Sequence, residues 1–212
     1  MVQVWILPTK ISPVDAVKTG KDSLICGKCP HRGTLPRMRR GRIIPGRKRS
    51  CYVNVGQAPN SVWKGFHRGI YPLASTADYA RIFANRNIRL GAYGDPAFIP
   101  QAIVAELVAV AVKHTGYSHQ WRTNTWLKSY VMASCDTMQD YLDARAAGWR
   151  TFRVASSLTP MPGEILCPAS KEAGNRTQCA KCGLCAGTSK QAKNIFIPVH
   201  GSGAKNALVI LQ

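Results

Sequence analysis

The sequence predicts an α/β protein built on a parallel sheet or barrel, and three observations point there. Apolar runs of strand length alternate with helical stretches between residues 76 and 167. Polar residues follow the same end of five successive strand candidates, as expected where a parallel sheet presents a ligand site at its carboxyl edge. The chain has 212 residues, 45% of them hydrophobic, which suits one folded domain over residues 1–212.

Each element has a local reason. Val2 to Leu7 is an apolar first strand; it lacks the basic lead of a signal peptide. Residues 26–51 form a basic loop flanked by cysteine, in which Gly33, Pro36, Gly41, Pro45 and Gly46 prevent a long helix. Thr76 caps a short helix to Asn85, and Ile88 to Tyr93 is a strand. Pro96 to His114 follows with a broad apolar helical face. Tyr117 to Trp121 reads as a weak strand, Thr125 to Lys128 as a helical turn, and Tyr130 to Ala133 as a strand. Asp136 or Thr137 caps a helix to Ala147 that Gly148 ends. Trp149 to Ala155, Glu164 to Leu166, Asn194 to Val199 and Ala207 to Leu211 complete the strands. Residues 167–187 read as a Cys-rich, metal-binding insertion.

Charge narrows the partners. Lys plus Arg number 29 against 10 Asp plus Glu, a formal net charge of +19. Phosphate is the usual counterpart of such a surface, so DNA or another nucleic acid is expected. The densest cationic run is Arg32, Arg37, Arg39, Arg40, Arg42, Arg47, Lys48 and Arg49, with Tyr52, Trp63 and Phe66 shortly after it. Of these, Arg37, Arg39, Arg40, Arg42, Arg47, Lys48 and Arg49 are the candidate backbone contacts; arginine with aromatics suits single-stranded or flipped bases. No stretch reaches the roughly 18 apolar residues that span a bilayer, so a membrane role is not expected.

Eight cysteines in a chain of this size without an export signal indicate metal in a reducing cytosol rather than a disulfide framework. Cys179, Cys182 and Cys185 have C-x2-C-x2-C spacing, and Cys167 or His200 can supply a fourth ligand. Four thiolates close a structural Zn²⁺ site, and the same run also occurs around iron–sulfur clusters. Cys26, Cys29 and Cys51 form a second, incomplete set that His31, His67 or Cys135 could complete.

Acid–base chemistry is expected from Asp95 and Asp136, the two carboxylates at strand ends, if their environments divide nucleophile from proton carrier. Helix capping is the competing role for both. His119, Trp121, Tyr93 and Ser156 are candidate substrate contacts, with Trp121 and Tyr93 placed to sandwich a base. Cys135 is a core thiol unless a histidine activates it.

The segments Cys26-x2-Cys29-Pro30, Cys51-Tyr-Val-Asn54, Gly91-Ala-Tyr-Gly-Asp95-Pro, and Cys167-Pro-Ala-Ser followed by Cys179-x2-Cys182-x2-Cys185 resemble a known group. They are similar to small bacteriophage proteins of the gene-product-88 type and to the compact phage DpdA group, DNA relatives of tRNA-guanine transglycosylase. The resemblance spans roughly residues 18 to 200, by pattern and order. It implies a compact TIM-barrel-like α/β fold and exchange of guanine in DNA for a 7-deazaguanine base such as preQ0. The implied intermediate is a glycosyl–aspartate, with Asp95 and Asp136 in the two acidic roles. It also implies zinc at Cys179, Cys182 and Cys185, with Cys167 or His200 as the fourth ligand, and a host cytoplasm. Two other functions fit the residues: an iron–sulfur, radical-type enzyme acting on nucleic acid, and a non-catalytic zinc-stabilised nucleic-acid binder.

Overall fold

The structure, a computed structural model, describes residues 1–201, 203–207 and 210–211. Its elements run in the order β1 (Val2–Trp5), α1 (Pro13–Lys18), α2 (Ser23–Cys26), β2 (Arg37–Arg39), β3 (Arg42–Ile44), α3 (Ala58–His67), α4 (Tyr79–Phe83), β4 (Asn87–Tyr93), α5 (Gln101–Val110) and β5 (Lys113–Thr115). Then come β6 (Tyr117–Ser118), β7 (Met132–Cys135), α6 (Met138–Ala146), β8 (Thr151–Ala155), β9 (Glu164–Leu166), α7 (Cys179–Cys182), β10 (Asn194–Pro198) and α8 (Ala204–Ala207).

Two parallel sheets form the body. One has the order β1-β4-β5, the other β6-β7-β8-β10-β9. Only Gly116 separates β5 from β6, and its carbonyl accepts the Met132 N–H at 3.0 Å, so one extended segment passes from the first sheet into the second. Every pairing within these two sheets is parallel, which points the carboxyl ends of their strands the same way. The expected α/β class with a parallel sheet is therefore present. The strand order departs from a TIM barrel: β10 lies between β8 and β9, whereas a barrel keeps sequential strands adjacent, and β1 and β9 are the outer strands.

The two-residue side-chain period of a strand assigns the two faces of the second sheet. Val131, Ala133 and Cys135 face a core shared with Ile88, Leu90, Leu127, Tyr141, Ala144, Trp121 and Trp149. Burying one such Ile or Leu side chain contributes about 1.5–3 kcal/mol. Met132, Phe152 and Ile195 face the other way, and Ser134, Val154 and Ile197 on that side border a cavity. Arg153 and Glu164 tie β8 to β9 through two hydrogen bonds, at 2.9 and 2.6 Å.

Several expectations are refined. Ser75, not Thr76, caps the turn before α4, through a capping box with Asp78. The helix expected from Pro96 begins only at Gln101, because Pro100 interrupts it after a short 3-10 turn. The basic loop is a hairpin, β2 against β3, closed by Arg40 and Gly41, both at positive φ. The strand expected at Ala207 to Leu211 is not formed at its start, where Ala207 ends α8; residues 208 and 209 lie outside the described residues. Helices α1, α2 and α3 were not anticipated. Among the described residues no helix is long and apolar enough to cross a membrane.

Candidate functional site

The site is assembled from the ends of β4, β6 and β7 and from the segment after α2. Thr137 and Asp140 form the capping box of α6, so Asp136 is released from the capping role that its position suggested. Asp136 lies two residues beyond Ser134 on β7, and its side chain is 3% exposed. His31 Nε2 contacts its Oδ1 at 2.8 Å, and His119 Nε2 approaches its Oδ2 at 3.0 Å. The second approach is close, but it is not aligned as a hydrogen bond, and that nitrogen is buried without a partner. His31 is oriented from behind by Ser50, whose Oγ lies 2.8 Å from Nδ1.

Asp95 has a different task. It caps the turn after β4, as the competing expectation held, by accepting the Ala97 N–H at 3.0 Å. It also accepts the Ser118 hydroxyl at 2.6 Å and the His119 N–H at 2.8 Å. Both carboxylates thus converge on His119: Asp95 holds its backbone, and Asp136 faces its ring.

Burial alone would raise Asp136, but the imidazoles of His119 and His31 hold its carboxyl well below the ordinary range. Burial likewise works to lower His119, and the Cys29 thiol and Asp136 outweigh it, holding the imidazole well above its usual value.

The segment bearing Cys29 and His31 is clamped by Gln120, the residue after His119. The Gln120 side chain donates to the Cys26 carbonyl at 3.1 Å and accepts from the Lys28 N–H at 3.3 Å. Gly27 makes room for this clamp: at φ +56°, a Cβ there would lie 2.6 Å from the Gln120 amide. The Asp95 N–H donates to the Ile25 carbonyl at 2.7 Å and fixes the same segment to β4. A buried Asp22–Arg32 pair, at 2.9 Å, closes it on the other side.

His31 and His119 face a cavity of about 520 Å³ on the open side of the second sheet. Cys29, Ser50, Cys51, Tyr52, Arg89 and Tyr117 also border it, as do Cys167, Cys179, Cys182, Cys185 and His200. The Arg89 guanidinium donates to the hydroxyls of Tyr52 at 2.6 Å and Tyr117 at 3.0 Å. The Tyr117 ring stacks on Phe152, 4.6 Å between centroids. All eight cysteines are free. Burial, then the charges of Cys167, Cys179 and Cys182, push the Cys185 thiol up. Burial and then Cys29 do the same to Cys26, and of the N-terminal set Cys29 and Cys51 border the cavity. Among the described residues, one group of three or more His, Cys, Asp or Glu brings its ligand atoms within 4.8 Å of one another: His31, His119 and Asp136. That spacing fits a single divalent cation.

The other expected residues fall elsewhere. Trp121 is buried in the core, edge-on to Trp149 and covered by the Arg122 guanidinium at 4.1 Å, so it does not border the cavity. Tyr93 is buried behind Cys26 with its hydroxyl unpaired. Ser156 is exposed beyond β8. His67 packs against Trp63 along α3, tilted by 47° with 4.0 Å between ring centroids, and Cys135 is a core thiol. Arg37, Arg39, Arg40, Arg42 and Lys48 are exposed. Arg47 is spent on the Pro30 carbonyl, at 2.7 Å, and Arg49 on those of Cys51 and Val53, at 3.2 and 2.8 Å. The sequence reasoning missed Ser50, Ser118 and Arg89; Ser118 adjoins His119 at a strand end, which is the one signal that marked it.

Comparison with known proteins finds no family model, no curated protein and no solved structure that matches this chain.

Proposed function

We propose that the protein is an enzyme that modifies DNA by exchanging a guanine for a 7-deazaguanine base. One observation carries the reading. The two segments from which the basic hairpin springs contribute Cys29, His31, Ser50, Cys51 and Tyr52 to the cavity wall, and Asp136 lies directly behind the His31 and His119 rings of that wall. A duplex held by the hairpin therefore lies over the cavity, and a base within the stack is out of reach of Asp136 until it is extruded. Arg37, Arg39 and Arg42 project from one face of the hairpin to meet phosphate. Met38 and Ile43 pair across its other face, 66% and 71% exposed, and supply an apolar wedge against base stacking.

The chemistry belongs to the cluster. Asp136 takes the role of the carboxylate that attacks the sugar carbon as guanine departs. His119, on the cavity wall, passes a proton to the departing base and receives one from the incoming base. Asp95 positions His119 through its backbone and does not react, since three donors occupy it. Tyr117 and Phe152 offer the extruded base a stacking face. Release of labelled guanine from DNA tests this. Wild-type protein releases it, and Asp136→Asn does not while binding DNA as tightly. Equal release by both proteins would discard the mechanism.

The unpartnered His119 Nε2 favours a second reading, in which His31, His119 and Asp136 hold one divalent cation that activates water for hydrolysis of nucleic acid. Strand cleavage restored by added Zn²⁺ or Mn²⁺ after chelation, without base release, selects it.

A further inference from the structure

The four C-terminal cysteines have no part in base exchange, yet the fold gathers them with care. Cys167 follows β9. Cys179 and Cys182 begin and end α7, one turn apart and so on one helix face. Cys185 comes after Gly183, whose left-handed conformation, φ +65°, turns the chain back. The loop is then pinned from several sides. The Cys185 carbonyl accepts the Gly116 N–H at 2.9 Å. The buried Arg150 guanidinium donates to the carbonyls of Leu184 at 2.8 Å and Gly187 at 3.0 Å. Lys113 reaches the Lys181 carbonyl at 3.3 Å, and the Asn87 amide donates to that of Ala180. As a result all four thiols face the same cavity.

Their spacing decides what they hold. Zn–S bonds of about 2.3 Å set tetrahedral thiolates about 3.8 Å apart. Among the described residues no three of these thiols come within 4.8 Å of one another, although the His31–His119–Asp136 group does. A cubane gives each thiolate its own iron and so spreads the ligands wider than one ion can. C-x2-C-x2-C is a spacing that such clusters use. The surroundings suit a negative cluster. The Ser170 N–H donates to the Cys167 carbonyl at 3.0 Å and turns the chain at that thiol, and the Arg150 cation is buried next to the loop. We propose that Cys167, Cys179, Cys182 and Cys185 hold a four-iron, four-sulfide cluster in the cavity wall, in place of the zinc ion that the sequence resemblance implies. The proposal stands on the thiols and is independent of base exchange.

Anaerobic purification of the full chain, with iron, zinc and acid-labile sulfide measured together, tests it. The wild type contains about four iron and four sulfide per chain and is brown. A Cys182→Ser/Cys185→Ser double variant, and separately Cys179→Ser, loses most of both, whereas Cys51→Ser retains them. Circular dichroism separates loss of the cluster from loss of fold. One zinc per chain without sulfide in the wild type overturns the proposal. So does iron retained in the double variant and lost from Cys51→Ser. Guanine release is a separate assay, so either proposal can fail alone.

Discussion

Asp95 and Asp136 are equivalent in the sequence, each an aspartate at the end of a strand, and neighbouring residues separate them. Thr137 takes the capping position beside Asp136, leaving its two oxygens to two imidazoles. Asp95 keeps its cap and gains two more donors. Asp95→Ala strands the Ser118 hydroxyl and two N–H groups in the interior. The expected loss is about 3 kcal/mol, read from urea unfolding. Ser50→Ala frees the far side of the His31 ring. Activity is expected to fall about tenfold with DNA affinity unchanged, since an orienting partner is lost and no phosphate contact is. An unchanged turnover would remove Ser50 from the site.

The elements explain which parts of the fold could be read in advance. Strands β4, β7, β8 and β9 announced themselves through apolar runs bounded by polar ends, and α6 through Thr137 and Gly148. The short helices α1 and α2 did not, because a helix of four to six residues displays too little periodicity to stand out. The carboxylates and His119, which joins them, were legible; the placement of His31 beside Asp136 was not. His31 comes from a turn whose position depends on Gln120, 92 residues from its backbone contact at Lys28, and no local pattern encodes that distance. Gly27→Ala therefore should lower the melting temperature, and removing the clamp with Gln120→Ala should recover part of the loss in the double variant. Additive losses would show that the clamp does not set the turn. The basic hairpin is a separable element. Removing Arg39 and Arg42 by alanine should reduce the slope of log binding constant against log salt by about 1.8, at about 0.9 per phosphate. The melting temperature should not change, because both side chains are exposed and unpaired. A salt slope equal to that of the wild type would detach the hairpin from DNA.

At the scale of the molecule, a net charge of +19 sits on a fold with few carboxylates to balance it. The parallel sheets gather three strand ends at one edge, and the Cys-bearing segments from both halves of the chain meet over one face of the second sheet. That arrangement places the two stems of the basic hairpin, the two imidazoles that flank Asp136 and a set of thiols around a single cavity. The central claim is that this cavity is where a DNA base is exchanged, and nucleoside mass spectrometry tests it most directly. Duplex DNA is incubated with the protein and an isotopically labelled 7-deazaguanine base, then digested to nucleosides. The account predicts labelled deoxynucleoside with the wild type and none with Asp136→Asn. Unlabelled DNA from a folded, DNA-binding wild type would contradict it.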